Sequence, residues 1–280
     1  MKKKIAQSYI PLLVFLIGLS LPLYPTISDR WNAMHQSRAI VSYARVVDNL
    51  DSEQNRIMWQ NAANFNAGVV SRDNQFRMSD EELARYETLL NIDGNGIMGY
   101  VEIPSINCKL PVYHGTEEKT LQVGVGHIEW SSLPVGGEST HAVLSGHRGL
   151  PSARLFTDLN KLVEGDHFLL YVLSETLTYE VDQIRIVEPE DISDLQIQEG
   201  LDLCTLVTCT PYGINTHRLL IRGHRIENEI VSTPRFVTAD AARISPKLVS
   251  LAIGVLNVSV ILILMTAASP FRRKHQRRTK

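Results

Sequence analysis

Leu203-Cys204-Thr205-Leu206-Val207-Thr208-Cys209, a turn-rich connection from Thr210 to His217, then Arg218-Leu219-Leu220-Ile221-Arg222 form two apolar, β-prone runs separated by eight residues. Strands joined this closely pair antiparallel, so the end of the first lies beside the start of the second, with opposed Cα atoms ~4.5–5.5 Å apart. Cys209 and Arg218 are neighbours by that geometry. Two readings of the pair stay open. A guanidinium beside a thiol lowers the thiol's proton affinity and can donate hydrogen bonds to an oxyanion, both of which nucleophilic acyl transfer needs. Alternatively, Cys209 is one more small buried hydrophobe and Arg218 a solvated strand residue. Cys204 is different: five residues from Cys209 on a period-two strand, it points to the opposite face, where a core role is expected. Cys108, within Ile106-Asn107-Cys108-Lys109-Leu110, also reads as packing.

Outward from this hairpin, the same texture reaches back to Asn91. The turn cluster Asn91-Ile92-Asp93-Gly94-Asn95-Gly96 opens a series of short Val/Ile/Leu/Tyr-rich runs broken by Gly, Pro and Asp, the pattern of a sandwich or barrel. Strands are expected at 97–103, 110–113, 140–145, 167–173, 176–188, 203–209 and 217–226. Asp93-Gly94-Asn95-Gly96 begins like a calcium loop, but the remaining EF-hand ligand positions do not follow, so a turn is expected. Before Asn91 the chain changes period. Ile40, Tyr43, Ala44, Val47 and Leu50 recur at helical spacing in a stretch from Trp31 to about Asn66, which predicts one or two helices. Ser79-Asp80-Glu81-Glu82 is a capping box that starts another short helix. Ser71 to Met78 reads as the loop between.

The 280 residues are 44% hydrophobic and 21% charged with a net charge of −2, a balance that excludes wholesale disorder and coiled coil. Three cysteines are too few and too irregular for a disulfide scaffold. The basic residues, however, crowd the ends. Residues 5–28 and 248–271 carry no charge, and each 24-residue stretch exceeds the ~20 residues that a helix needs to cross a bilayer. Lys2, Lys3 and Lys4 precede the first, and Arg272, Arg273, Lys274, Arg277, Arg278 and Lys280 follow the second, so both termini are expected in the cytoplasm with the middle outside. A cleaved signal peptide competes for the first stretch, but Leu21 to Ser28 contains no small-residue cleavage site. With the nine terminal Lys and Arg set aside, the other 19 face 30 acids, leaving −11 over residues 5–270. An acidic exterior argues against nucleic acid as a partner. The expected organisation is therefore a cytoplasmic tip and anchor (1–28), a helical segment (29–90), a β domain (91–232), a linker (233–247), a second span (248–271) and a basic tail (272–280).

A nucleophilic thiol usually works with an imidazole. Of the nine histidines, His35 and His275 fall in the leading helix and the tail. His147 stands out in Leu144-Ser145-Gly146-His147-Arg148-Gly149, at a strand end between glycines whose bare backbone leaves room for a substrate. His114, His127, His141, His167, His217 and His224 read as surface or hydrogen-bonded structural residues, and no pair has metal-ligand spacing.

Leu206-Val207-Thr208-Cys209 with Arg218 nine residues on, preceded by Ser145-Gly146-His147, resembles the signature of the sortases, cysteine transpeptidases of Gram-positive bacteria. The likeness extends over Gly96–Pro104, Leu110–Thr116, Gly124–His127, Ser132–Gly137, His141–Leu150 and Thr205–Arg225, and is closest to class C, the pilus-polymerising kind. The resemblance implies a mainly β, eight-stranded barrel with N-terminal helices and a transmembrane helix at each end. It also implies catalytic roles for Cys209, His147 and Arg218. Cys209 would attack the Thr–Gly carbonyl of an LPXTG-like sorting signal, and a lysine amine of a pilin subunit would accept the acyl group. No metal or organic cofactor is implied. The partners would be pilin or surface proteins bearing a C-terminal sorting signal, together with the lipid bilayer. Two rivals stand beside it: a sortase that attaches proteins to peptidoglycan, and a catalytically idle membrane-bound scaffold.

Class C enzymes carry a lid with an Asp-Pro-aromatic motif, whose acid engages the catalytic arginine. Here the corresponding loop reads Arg72-Asp73-Asn74-Gln75-Phe76, without the proline. The resemblance makes Asp73 and Phe76 variant lid residues, with Ser145 and Thr208 as substrate-contacting candidates; an ordinary connecting loop is the alternative for 71–78.

Overall fold

The computed structural model describes residues 2–228 and residue 259. The chain divides into two compact units, Tyr24–Ser232 and a second comprising Met1–Leu23 with Thr233–Lys280. In the second unit the description is confined to residues 2–23, the start of helix α1 (Lys2–Asp48), and residue 259. Apart from residue 259, the expected linker, second span and basic tail lie outside the described residues. Among the described residues no helix is long and apolar enough to cross a membrane. Helix α1 runs unbroken past the domain boundary expected at 28/29.

Two further helices lead to the β domain. Helix α2 (Ser52–Val70) is separated from α1 by Asn49–Asp51, and Asp51 starts it with a capping box to Gln54. Helix α3 (Asp80–Thr88) starts with the expected box, Ser79 accepting from the Glu82 backbone N–H while the Glu82 side chain accepts from the Ser79 N–H. Each box satisfies two backbone donors that a helix otherwise leaves without partners.

The β domain is a closed eight-stranded barrel in the order β1-β2-β3-β4-β7-β8-β6-β5. Its strands are β1 (Ile97–Ile103), β2 (Cys108–His114), β3 (Val125–His127), β4 (Thr140–Ser145), β5 (His167–Val172), β6 (Glu175–Val187), β7 (Asp202–Thr210) and β8 (His217–Ile226). All seven expected strands are present within two residues of their expected ends. The eighth, β3, was not expected: three residues are too few for alternation to register. β2 pairs with β3, and β4 with β7, in parallel; the other neighbours are antiparallel. Asp93–Gly96 forms the expected turn, in which the Asn95 N–H donates to Asp93 Oδ1 at 3.0 Å.

Alternation sorts the strands' side chains. Ala142, Leu144, Cys204, Leu206, Leu219 and Ile221 face the barrel interior, and α2 and α3 add Phe65, Val69 and Tyr86 to the same core. On the outer face of the same strands, Val143, Val207 and Leu220 form a second cluster with Val187 and Leu195, flanked by Ile128 and Trp130. Helix α1 packs separately through Tyr43 and Val47 against Ile97. The buried Tyr43 hydroxyl donates to Met98 O at 2.9 Å and accepts from Leu173 N at 2.8 Å.

Candidate active site

Three adjacent strands deliver the candidate residues to one end of the barrel. Because β4 and β7 are parallel, with Ser145 opposite Val207, both finish at that end. The ladder continues one residue further, since Gly146 N donates to Val207 O at 3.0 Å. The Thr208 hydroxyl then donates to Gly146 O at 2.7 Å. The backbone just before His147 is therefore held by the two residues that precede Cys209. On the other side, β7 and β8 pair antiparallel with Cys209 opposite Arg218, the register expected from the short connection.

The faces also sort as alternation requires. Cys209 follows Val207 on the outer face and is a part-exposed free thiol. Cys204 is buried in the interior, and burial pushes its thiol well above the ordinary range. Cys108, part of the packing beneath Leu155, is pushed up to about 12 by burial. Thr208 is 2% exposed and spends its hydroxyl on Gly146, so it ties two strands together from within the wall rather than lining an open surface. Ser145 shares the outer face with Val143 and is half-buried.

The glycines around His147 serve a purpose other than the one expected. A Cβ on Gly146 would lie 2.6 Å from the Phe156 ring, so its bare backbone admits Phe156, not a substrate. Gly149 has φ +77° and would set a Cβ 3.1 Å from Tyr212. Both glycines thus let aromatic rings pack against the segment that carries His147. The His147 ring directs Nε2 to Glu118 Oε2 at 3.3 Å. Glu118 opens the single-turn helix α4 (Glu118–Leu121) between β2 and β3. Its carboxyl is held below the ordinary range, first by the hydrogen bond from Gln122 and then by the charge of His147. Sequence reasoning missed Glu118. The only local sign was its place beside Glu117 in a strand connection, and the approach to His147 is created by barrel closure. Arg218 donates Nη1 to His217 O at 3.2 Å and to Asn215 O at 3.4 Å, along its own loop.

Two expected structural histidines are buried. His127 meets the Tyr86 hydroxyl at 3.1 Å and Ser132 O at 2.8 Å. His141 on β4 meets Thr205 Oγ1 of β7 at 2.7 Å and Gln196 O at 2.9 Å. Desolvation lowers both to about 4. Among the described residues no cluster of His, Cys, Asp or Glu is arranged to hold a metal.

The loop between α2 and α3 lies over the outer apolar cluster. Phe76 meets Trp130 edge-on at 5.0 Å between centroids. Gln75 donates to Leu195 O at 3.3 Å and accepts from Ile197 N at 3.0 Å, while Arg72 reaches Glu82 and Trp130 O. Asp73 lines a cavity of about 620 Å³ with Ser139, Gln196 and Glu199. Ser139 and Glu199 precede β4 and β7, so Asp73 sits toward the starting end of these strands and Cys209 at their finishing end. Among the described residues Asp73 and Arg218 share no ion pair or hydrogen bond; the course of the loop separates them.

A part-exposed thiol at a strand end, with an arginine opposite it and a histidine just past the end of the neighbouring strand, defines a candidate site for thiol-based acyl transfer. Comparison with known proteins agrees. The family profile described as "Sortase domain" matches residues 101–226. Sortase D of Bacillus subtilis (strain 168) is 35% identical over 131 residues, which are 46% of this chain and 63% of that protein. Aligned segments thus span under two thirds of the length of the curated relatives. Solved structures match more fully. Sortase C1 from Streptococcus agalactiae is 54% identical with a TM-score of 0.67, covering 69% of this chain and 100% of that one. A Clostridium perfringens sortase C, solved with the C-terminal cell wall sorting motif, is 43% identical with a TM-score of 0.61, covering 68% and 99%. The chain belongs to the sortase family of cysteine transpeptidases, and these two solved structures are class C sortases.

Proposed function

We propose that this chain is a membrane-held, pilus-polymerising sortase in which Cys209 is the nucleophile, His147 the acid–base group and Arg218 the substrate-positioning and oxyanion-stabilising residue. The Cys209 thiolate attacks the Thr carbonyl carbon of an LPXTG-like signal. Arg218 donates to the oxyanion, and His147 protonates the departing Gly amine as the C–N bond breaks. His147 then takes a proton from an incoming pilin lysine amine, which displaces the thiolate and forms the new amide. The observation that carries this is the pairing of Cys209 with Arg218, together with the Thr208 tie that fixes the neighbouring His147 strand end. A relative solved with a cell wall sorting motif supports the substrate class. Charge-free residues 5–28 and 248–271 with basic flanks support an anchor at each side of an exterior domain. Residues 29–90, 91–232, 233–247 and 272–280 would then be the helical segment, catalytic barrel, linker and cytoplasmic tail.

The test is to incubate the full chain with a sorting-signal peptide and a pilin bearing an acceptor lysine. A thioester on Cys209 by mass spectrometry, absent in Cys209→Ala and present in Cys204→Ala, followed by a ladder of pilin polymers, is expected. Wall-linked monomers without a ladder would move the acceptor to peptidoglycan, and no adduct at all would leave an idle scaffold.

A further inference from the structure

Glu118 is the carboxylate that meets the His147 ring, and its own orientation is fixed twice. Its Oε1 accepts from Gln122 Nε2 at 3.0 Å, one helical turn on, which leaves Oε2 for His147 Nε2 at 3.3 Å. The other ring nitrogen, Nδ1, has no hydrogen-bond partner among the described residues. The two halves of the pair come from separate connections, α4 between β2 and β3 and the segment after β4. Helix α1 ties both of them. Gln36 Nε2 donates to Val123 O at 3.0 Å, just past α4, and one turn earlier Asn32 Nδ2 donates to Ser152 O at 2.8 Å, just past His147. Asp29 adds a contact to Arg154 N at 2.7 Å.

We propose that Glu118 is a positioning residue for His147: it holds Nε2–H, fixes the tautomer, and leaves Nδ1 as the nitrogen that exchanges the proton with the leaving and incoming amines. This rests on His147 being the acid–base group. An acceptor carboxylate selects the tautomer with the proton on the nitrogen facing it, and a base held in one orientation loses less freedom in the transition state. The pair is surface-lying, with Glu118 67% exposed, so solvent limits its strength. An exposed contact of this kind corresponds to a change in rate of about two- to fivefold.

Steady-state turnover of an internally quenched sorting-signal peptide by the full chain in lipid nanodiscs tests this with Glu118→Ala, Glu118→Gln, His147→Ala and the double variant Glu118→Ala/His147→Ala. Glu118→Ala should lower kcat about two- to fivefold with KM changed less than about 1.5-fold. Glu118→Gln, which keeps an acceptor oxygen, should recover most of the loss. In the His147→Ala background, removing Glu118 should change nothing further, because the group it positions is gone. A wild-type kcat in Glu118→Ala, or an equal fall in both backgrounds, overturns the assignment while leaving His147 as the acid–base group. Wild-type turnover in His147→Ala overturns the acid–base reading itself, and Glu118's role with it.

Discussion

Lowering the pH from 7.5 to 5.0 should destabilise the barrel through two imidazoles that take no part in the chemistry. His127 and His141 are lowered from 6.5 to about 4 in the folded chain because burial disfavours their charged form. Between those values the unfolded chain holds protons that the folded chain refuses, so stability is full above about pH 6.5 and is lost as the pH falls toward 4. At pH 5 the loss is ~2 kcal/mol for each ring, ~4 kcal/mol for both. Asp202 offsets part of it: burial raises its carboxyl above the ordinary range, so it takes up a proton sooner folded than unfolded. For a domain of about 200 residues, ~4 kcal/mol is a fall in Tm of about 8–16 °C. Circular dichroism melts at the two pH values measure it. His141→Gln removes one titrating ring and keeps an amide to bridge Thr205 and Gln196, so the pH-driven fall should shrink by roughly half. A fall in His141→Gln as large as in the wild type would refute the assignment of acid sensitivity to these rings.

Thr208→Val should cost about 1–2 kcal/mol in unfolding free energy by stranding Gly146 O, and should lower peptide turnover, whereas Thr208→Ser should preserve both. Gly146→Ala forces a Cβ against Phe156 and should cost about 1–3 kcal/mol; melts should show recovery when it is combined with Phe156→Leu. Phe76→Ala should raise the rate of acyl-enzyme formation by uncovering the outer face that Val207 and Leu220 line, and Asp73→Ala should leave it unchanged; equal rates in all three proteins would mean that the 71–78 loop guards nothing. In intact cells, protease from outside should cleave within residues 29–247 while tags at both termini stay protected, and cleavage of a C-terminal tag would refute two spans.

The β7–β8 hairpin was legible because its register follows from a short connection and a strict period of two. Those two facts set Cys209 beside Arg218 and turn Cys204 to the interior before any tertiary contact is considered. Closure of the strands into an eight-membered barrel was legible only through the resemblance, since alternation fits a sandwich equally well. Strand β3 escaped notice because its three residues are all buried and show no alternation. The break between α1 and α2 left a visible sign, the Asp51 to Gln54 capping box, in a stretch otherwise consistent with a single helix. Around His147, the neighbours of Gly146 and Gly149 come from Phe156 and Tyr212, and Glu118 comes from a different strand connection. Contacts between distant segments leave no local pattern in the chain, which is why the glycines were assigned to substrate room and Glu118 to nothing.

The parallel pairing of β4 with β7 has a consequence for assembly. Ser145 and Val207 are register partners although 62 residues of chain position separate them, and the β5–β6 hairpin that intervenes must itself join β1 on one side and β8 on the other. The strand that carries Cys209 therefore docks between an early partner and a late one, and long-range closure of this kind is slow relative to local hairpin formation. Until that strand is seated against β4, the thiol has at most the arginine of its own hairpin and lacks the histidine segment beside it. A chain arrested or cut before β8 can retain its cysteine and still have no assembled site, so the nucleophile comes under the control of its partners only when the barrel has closed.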